Sequence, residues 1–251
     1  MIIYDLEFYA YRFVAGAQVD LQWGDDDSGD WHTVCRHKDA VISFVDHATE
    51  ILEKFPGHGL FLARGDRRNF RHDLWPDYKA NRKDRRRPAG YGEALARMSK
   101  AGQQRGWPTG GFKNLEGDDV LGILQEEDDI IVSGDKDMLT LPGKLYRNDE
   151  LIQVSQWEAD LAFYRQVLVG DTSDNYPGCP GVGDKNRVFT GKAWLTSTTE
   201  HHLWQAVVDQ YAKAGKDVQY ALTQARCARI LRPGEFDLAS GLPHLWEPPV
   251  I

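Results

Sequence analysis

Short apolar strands alternate with amphipathic helices along the first half of this chain, and acidic residues follow the strands. Apolar runs of four or five residues suit buried strands, whereas the longer segments between them repeat apolar side chains at helical spacing. Such an alternation predicts an α/β sheet flanked by helices, with ligands gathered outside the carboxyl ends of the strands. The predicted strands are 1–4, 59–63 and 129–133, and the predicted helices are 39–55 and 115–124.

Nine carboxylates lie at predicted strand ends, helix starts or turns, where this sheet would collect them. If they converge, their mutual repulsion forces several to take up protons unless cations neutralise them. Oxygen ligands without histidine select Mg²⁺ or Mn²⁺ over zinc, and two such ions can activate a water and stabilise the leaving oxygen in phosphodiester hydrolysis. The nine are Asp5, Asp66, Glu116, Asp118, Asp119, Asp135, Asp137, Asp171 and Asp174.

The charge of the chain is unevenly distributed. Its formal net charge is -8, yet residues 64–87 hold ten basic and four acidic side chains. A basic segment within an acidic chain indicates one surface that attracts phosphate and another that can hold divalent cations. Lys79 and Arg82 are three residues apart in this segment, so on a helix they share a face and can clamp the scissile phosphate, while Tyr78 stacks on a base.

A glycine- and proline-rich turn at 168–187 lies between two predicted helices. Its centre, ProGlyValGlyAspLys at 180–185, is a helix-hairpin-helix signature. The glycines permit a tight hairpin, and amides at the start of the following helix can grip a phosphate without reading bases. Lys185 lies at the position where a cation could pair with the bound phosphate. An ordinary glycine-rich turn is the alternative reading.

Other patterns in the sequence give weaker support for a functional site. Residues 25–36 begin like a calcium loop but lack its later ligands. His32, Cys35 and His37 lack the second half of a zinc site, and 126–129 reads as a solvated acidic loop. No apolar stretch approaches the ~18 residues of a membrane span. Three distant cysteines suit free, mostly buried thiols in a reducing cytoplasm. We also expect a monomer.

Taken together, the motifs occur in the order found in the 5′-nuclease and flap-endonuclease family, which this chain resembles over nearly its whole length. Some segments are similar in particular to the 5′-3′ exonucleases of short-tailed lytic bacteriophages: TyrLysAlaAsnArgLys at 78–83, Trp31-His32, AlaArgIleLeuArg at 228–232 and Leu245-Trp246. The family motifs are Asp5, Asp66 before a basic stretch, TyrLysAlaAsnArg, GluGlyAspAsp at 116–119, SerGlyAspLysAspMet at 133–138, GlyAspThrSerAspAsn at 170–175 and ProGlyValGly at 180–183.

The resemblance implies a PIN-like α/β nuclease domain at 1–165 with a helical arch at about 70–105, and a helix-hairpin-helix DNA-binding region at 166–251. It implies a first metal site of Asp5, Asp66, Glu116 and Asp118 with Asp119 nearby, and a second of Asp135, Asp137, Asp171 and Asp174. The turn at 178–185 matches a motif that holds duplex DNA and, in relatives, a potassium ion. The implied catalytic residues are Lys79, Arg82, Asp5, Asp66, Glu116, Asp118 and Asp135. The implied DNA-binding residues are Arg67, Arg68, Arg71, Tyr78, Lys79, Arg82, Lys83, Gly181, Gly183, Lys185 and Arg187.

The implied activity is 5′-3′ exonucleolytic hydrolysis of duplex DNA, and of the RNA strand of RNA/DNA hybrids, in phage DNA replication, primer removal or host DNA breakdown. A structure-specific flap endonuclease and a PIN-type ribonuclease are alternatives. A non-catalytic module that binds DNA junctions is an alternative of another class. Such a module predicts that some of the nine carboxylates are replaced, and none is. Many relatives have a small polar residue two places after the first aspartate, where this chain has Glu7, which either adds a ligand or points away.

Overall fold

The computed structural model describes residues 1–23, 30–83 and 87–249, and a six-stranded sheet forms its centre. The sheet order is β5-β4-β1-β6-β7-β8, and all pairs are parallel except β7 with β8. This arrangement confirms the predicted α/β sheet. The strands are β1 (Ile2–Asp5), β2 (Gln18–Trp23), β3 (Asp30–Cys35), β4 (Leu60–Ala63), β5 (Thr109–Gly110), β6 (Ile130–Val132), β7 (Gly143–Arg147), β8 (Glu150–Val154), β9 (Phe236–Asp237) and β10 (Leu242–Pro243).

Helices cover both faces of the sheet. The helices are α1 (Leu6–Gly16), α2 (His37–Lys54), α3 (Arg71–Leu74), α4 (Tyr91–Gln103), α5 (Gly117–Leu124), α6 (Gln156–Val169), α7 (Lys192–Leu195), α8 (Glu200–Lys213) and α9 (Val218–Ala228). Successive strand residues point to opposite faces. Ile2 of β1 accordingly packs in one core with α1, α2 and α4, whereas Ile3 packs in another with Val120 of α5 and Leu231.

The C-terminal helices enclose a third core, which is rich in aromatic residues. Phe163 of α6, Trp204 of α8 and Trp246 pack together there, and the buried Tyr211 hydroxyl donates to the Val167 carbonyl at 2.7 Å. The Ser155 side chain accepts the Glu158 amide and so caps the start of α6. Helix α6 also contacts the turn that follows β6, so this helical core sits directly against the sheet.

The described parts of the predicted arch at 70–105 are a short helix, a 3-10 turn and one core helix. Helix α3 ends at Leu74, and a 3-10 turn follows at Ala80–Lys83. Helix α4 packs on α1 and α2 as a core helix, because Ala94, Leu95 and Met98 give it an apolar face that is buried. Residues 84–86 lie outside the described part of the chain, as does the start of the 25–36 calcium-like loop.

The glycine-rich turn is also followed by a different structure from the one expected. A 3-10 turn at Arg187–Thr190 and the four-residue α7 come next, and the first longer helix, α8, begins at Glu200. The Asn186 side chain accepts the Val188 amide and so caps the 3-10 turn that follows the glycine-rich segment. The role of this turn in gripping a phosphate stays a prediction.

Three smaller expectations can also be compared with the structure. Cys35, Cys179 and Cys227 are free thiols, the last two buried, as expected. Asp129 is not solvated: it is buried, pairs with the amino group of Met1 and accepts the Glu126 amide at 3.1 Å. Among the described helices, none is long and apolar enough to cross a membrane.

Candidate active site

The carboxyl ends of β1, β4 and β6 lie side by side at one edge of the sheet. Asp5 ends β1 and pairs in register with Ala63 of β4, and Ser133 directly follows β6. One oxygen of Asp5 caps α1 by accepting the Phe8 amide at 3.0 Å, and the other accepts the Ser133 hydroxyl at 2.7 Å. Asp5 is thus held in a fixed, buried position at this edge.

The first turn of α5 brings Glu116 and Asp118 to the same edge. Glu116 is the residue that precedes the helix, and Asp118 lies in its first turn. The chain that leaves β4 passes directly beside this turn. A Cβ on Gly65 would lie 2.5 Å from the Gly117 amide nitrogen, so only glycine fits at Gly65.

Asp5, Glu116, Asp118 and Asp135 form what we call the first carboxylate group. Burial raises the pKa of Asp118 well above its usual value, and the charges of Asp5, Asp135 and Glu116 raise it further. Burial likewise raises the pKa of Asp5 to about 6, although hydrogen bonds oppose the shift. Carboxylates that raise each other's pKa in this way form a strongly negative site that favours a cation.

Asp135, Asp137, Asp171 and Asp174 form the second carboxylate group. Burial raises the pKa of Asp137 to about 7, and the charges of Asp135 and Asp171 add to this shift. Asp135 accepts the Asp137 amide at 2.9 Å, which fixes the turn after β6 and places the two side chains in sequence along the edge. Asp135 belongs to both groups, because its charge acts on Asp118 in the first and on Asp137 in the second.

Lys79 and Arg82 lie against these carboxylates. The Lys79 ammonium pairs with Glu116 and, at 3.3 Å, with Asp174, and Arg82 pairs with Asp174. Burial alone would raise the pKa of Glu116, but the charges of Lys79 and Arg71 lower it to about 2. Lys79 adopts a positive φ of 57°, which non-glycine residues rarely do, and its amide donates to the Asp174 carbonyl at 2.8 Å.

The structure corrects the predicted roles of Asp119 and Arg71. The guanidinium of Arg71 donates to both oxygens of Asp119 at 2.7 Å, and its remaining N–H groups donate to the carbonyls of Cys227 and Arg229. Asp119 also accepts the Leu231 amide at 3.1 Å. Arg71 is 2% exposed and Asp119 is fully buried, and both Asp119 oxygens are already bonded to Arg71 and to the backbone amides of Glu116 and Leu231.

Tyr78 and Asp66 also differ from expectation. Tyr78 is 3% exposed, and its hydroxyl donates to Asp174 at 2.7 Å, so its ring cannot stack on a base. Asp66 is exposed, and its carboxylate accepts the amides of Asn114 and Arg67, which lower its pKa. The structure therefore does not bring Asp66 into either carboxylate group.

Glu7 lies beside the first carboxylate group. It accepts the Gly65 amide at 3.2 Å, and a Cβ on Gly117 would lie 3.3 Å from its Oε2 atom. Burial raises the pKa of Glu7, Arg64 opposes this shift, and Glu116 adds to it. Its position two residues after Asp5, in the first turn of α1, was the signal in the sequence that it could face this edge.

Two polar residues that orient the site were not among the predicted site residues. Ser133 donates to Asp5, and the buried Asn69 donates to Glu116 at 2.7 Å. Ser133 opens the motif at 133–138, which was the signal for it, whereas a single Asn such as Asn69 is common in loops and gives no reason to be selected.

The remaining predicted DNA-binding residues are largely exposed. Arg68 pairs with Asp73 at the surface, and Gly181 takes a positive φ of 78° in the turn. The side chain of Lys83 lies outside the described part of the structure. The exposed residues on this list are Arg67, Arg68, Arg82, Gly181, Gly183, Lys185 and Arg187.

Across residues 1–23, 30–83 and 87–249, no three His, Cys, Asp or Glu side chains stand close enough together to hold an ion as they are placed. This holds for His32, Cys35 and His37 as well. The active-site carboxylates bond instead to Ser133, Lys79 and other donors. Their donor chemistry, all carboxylate oxygen under mutual repulsion, fits a hard divalent cation.

A family model and two full-length relatives indicate the same protein family. A family model described as the N-terminal resolvase-like domain of 5′-3′ exonucleases matches residues 9–162. The exodeoxyribonuclease of Enterobacteria phage T3 is 27% identical, with 99% of this chain and 93% of the relative covered. The exonuclease of Escherichia phage T7 shows the same identity and coverage.

Solved structures share the fold. The T5 5′-exonuclease with bound zinc aligns with a TM-score of 0.59 at 15% identity, covering 91% of this chain and 93% of that one. The catalytic core of Rad2 in complex with DNA aligns with a TM-score of 0.52 at 14% identity, covering 99% and 84%. Since the family model spans more than half of the sequence, this chain belongs to the 5′-3′ exonuclease family, and the resemblance seen in its motifs is confirmed.

Proposed function

We propose that this protein removes nucleotides from the 5′ ends of duplex DNA with two Mg²⁺ ions, for which Mn²⁺ can substitute. The observation that carries the proposal is the gathering of the active-site carboxylates at the carboxyl edge of the sheet, where Asp5 bonds to Ser133 after β6 and where Lys79 and Tyr78 each contact both Glu116 and Asp174. When bound, such ions activate a water and stabilise the leaving oxygen of a phosphodiester. The T5 relatives were solved with divalent metal ions, one also with DNA, which supports the proposal.

The residues of this chain would divide the work as follows. Asp5, Asp118 and Glu116 would hold one ion and Asp137, Asp171 and Asp174 the other, and Asp135 would contribute its charge to both sites. We add Glu7 to the first set and omit Asp66 and Asp119, because Glu7 faces Glu116 whereas Asp66 and Asp119 bond elsewhere. Lys79 and Arg82 lie where they can hold the negative charge that develops on the scissile phosphate.

The exposed turn at 178–187 is the second part of the proposal. It carries Lys185 and Arg187 on its surface, and we place the duplex there, with a potassium ion bound through backbone oxygens as a further element. The proposal extends to the RNA strand of RNA/DNA hybrids and to a monomer that acts in the host cytoplasm during phage replication. A structure-specific flap endonuclease is the second candidate, and the relative rates on a blunt duplex and on a 5′ flap distinguish the two.

One digestion experiment tests this function. A duplex labelled at its 5′ end and the same duplex labelled at its 3′ end are incubated with the protein in Mg²⁺, in Mn²⁺ and in excess EDTA. We expect the 5′ label to be released at once in mononucleotides or very short products. The strand that carries the 3′ label should shorten progressively, and EDTA should prevent hydrolysis. Undiminished digestion in EDTA, or release of the 3′ label first, would contradict the proposal.

Lys79 and Lys185 should have different roles in catalysis and binding. Lys79→Ala removes a cation that contacts the carboxylates around the reacting phosphate, so we expect kcat to fall about a hundredfold with a smaller change in affinity. Lys185→Ala removes an exposed duplex contact, so we expect weaker binding and a salt dependence reduced by about one counterion. Steady-state kinetics and binding at several salt concentrations measure both.

The contrast between the two variants is the control. A general loss of positive charge would affect them alike. If both variants raised only KM, by similar factors and with the same change in salt dependence, then Lys79 would have no place in the catalytic step.

A further inference from the structure

The segment AlaArgIleLeuArg at 228–232 contacts elements that carry both carboxylate groups. The Leu231 amide donates to Asp119 of α5, the helix whose start bears the first group, and the side chains of Ile230 and Leu231 pack in the core beside that helix. The last residue of the segment, Arg232, bonds instead to the turn that follows β6, which bears part of the second group. None of the roles described so far involves Arg232.

Arg232 links helix α6 to this turn. It is 8% exposed, and its guanidinium donates from Nη1 to Asp160 of α6 and from Nη2 to the Thr140 carbonyl, both at 2.8 Å. Asp160 is buried too, and both of its oxygens accept the Gln156 side chain at 2.9 Å. A guanidinium paired with a fixed, buried carboxylate has little freedom, so it holds the Thr140 carbonyl in one place.

Thr140 ends the 3-10 turn Lys136–Thr140, which carries Asp137. The Thr140 hydroxyl donates to the Asp137 carbonyl at 2.8 Å, and the Asp137 amide donates to the Asp135 carboxylate at 2.9 Å. A carbonyl at the end of a helical turn lacks a donor within the turn, and an arginine side chain can supply one. A contiguous chain of hydrogen bonds therefore leads from Arg232 to both aspartates of the turn.

The same turn carries charges that repel each other. Burial raises the pKa of Asp137, and the charge of Asp135 raises it further. Repulsion of this kind favours a wider spacing of the two side chains, whereas a divalent ion needs their oxygens at fixed positions. The bond from Arg232 to Thr140 opposes such widening from outside the site.

We propose that Arg232 is a positioning residue that fixes the turn Lys136–Thr140 and thereby sets the affinity of the second carboxylate group for its ion. The inference rests on the proposed function and deepens it, because it names the residue that keeps the second metal site assembled in the absence of DNA. Arg232 contacts neither the substrate nor the ion in this role. It acts through the backbone of Thr140.

The test combines metal binding with hydrogen exchange, both on the full chain without DNA. Mn²⁺ binding is measured by titration calorimetry and electron paramagnetic resonance, and amide exchange across residues 135–141 is measured by mass spectrometry. The variants are Arg232→Met and Arg232→Lys. Arg226→Met is the matched control, because Arg226 is half-buried near the same segment but bonds to Glu247 and to the Trp246 carbonyl.

We expect wild type to bind two Mn²⁺ ions. Arg232→Met should weaken the binding of one ion at least about tenfold and leave the other unchanged, since loss of a residue that orients a metal ligand typically lowers metal affinity about 10–100-fold. Amide exchange at 137–141 should become faster in this variant. Arg232→Lys keeps the charge and one donor, so it should recover part of both effects. Arg226→Met should change neither, even if its Tm falls as much.

Equal weakening of both ions would overturn the inference, as would a lower Tm with unchanged Mn²⁺ affinity and unchanged exchange at 137–141, because Arg232 would then be purely structural. If Arg232→Met does not fold, Asp160→Asn takes its place: it removes the charge that holds the guanidinium and should weaken the same ion by a smaller factor.

A wild type that bound fewer than two ions would contradict the proposed function and not the positioning of the turn. The exchange measurement would then decide. Faster exchange confined to 137–141 in Arg232→Met would support the inference, and unchanged exchange there would overturn it.

Discussion

Asp135→Asn should abolish hydrolysis almost completely while leaving duplex binding within a few-fold of wild type. Asp135 is the carboxylate common to both groups, and its charge is felt at Asp5, Asp118 and Asp137. Loss of a residue that only orients a metal ligand typically lowers activity about 10–100-fold. Loss of a ligand shared by two ions should therefore lower the rate of hydrolysis roughly a thousandfold or more. Single-turnover rates in Mg²⁺ and anisotropy in Ca²⁺ measure the two quantities.

Asp128→Asn is the matched control, because Asp128 is exposed and pairs only with Lys144 at the surface. Its rate should equal that of wild type. Glu7→Gln should slow hydrolysis more than Asp66→Asn does, since Glu7 faces the first carboxylate group and Asp66 does not. If Asp135→Asn hydrolysed DNA at the normal rate but bound it more weakly, the sheet edge would serve binding, and our assignment of catalysis to it would be wrong.

Arg71→Ala should destabilise the fold rather than weaken contact with DNA. Removing Arg71 leaves the buried carboxylate of Asp119 without its bidentate partner. Breaking a buried ion pair costs about 3–5 kcal/mol, which for a chain of this size corresponds to a fall in Tm of roughly 6–20 °C. Thermal unfolding followed by circular dichroism, with and without duplex DNA, measures the change.

Arg68→Ala provides the comparison for Arg71→Ala. Arg68 lies three residues earlier in the same basic segment, but it is exposed and pairs with Asp73 at the surface. Its removal should change the free energy of unfolding by no more than about 0.5 kcal/mol and should weaken DNA binding slightly. If Arg71→Ala unfolded at the wild-type temperature and lost DNA affinity, the original assignment of Arg71 to DNA would be right.

The sheet and much of its acidic edge could be predicted because they follow from local order along the chain. Short apolar runs ending in aspartates predicted β1 and β6 within a residue or two, and parallel strands bring their carboxyl ends together. Asp5, Asp118 and Asp135 then meet for a reason visible in the sequence. Two-residue β5 and the β7–β8 hairpin were missed, since these strands lack a run of buried residues long enough to stand out.

Arg71 and Asp66 could not be placed correctly from the sequence, for a different reason. A basic residue in a basic segment predicts a solvated or phosphate-binding side chain, and an aspartate near a strand end predicts a ligand. The true partners of Arg71 lie 48 residues away at Asp119 and 156 residues away at Cys227, a distance over which no periodicity operates. Asp66 turns toward the backbone of Asn114, a choice made by loop geometry and not by residue type.

The tie between Arg71, Asp119 and the Leu231 amide also bears on how the enzyme is made. Helix α5 carries Glu116 and Asp118 into the site, yet its Asp119 anchor is complete only once residues 227–231 have been added. During synthesis on the ribosome, the acidic edge would therefore remain imperfectly fixed until this late segment had emerged and docked. A nascent chain that already contains every proposed metal-binding side chain would still lack the contacts that hold Asp119 and the start of α5 in place.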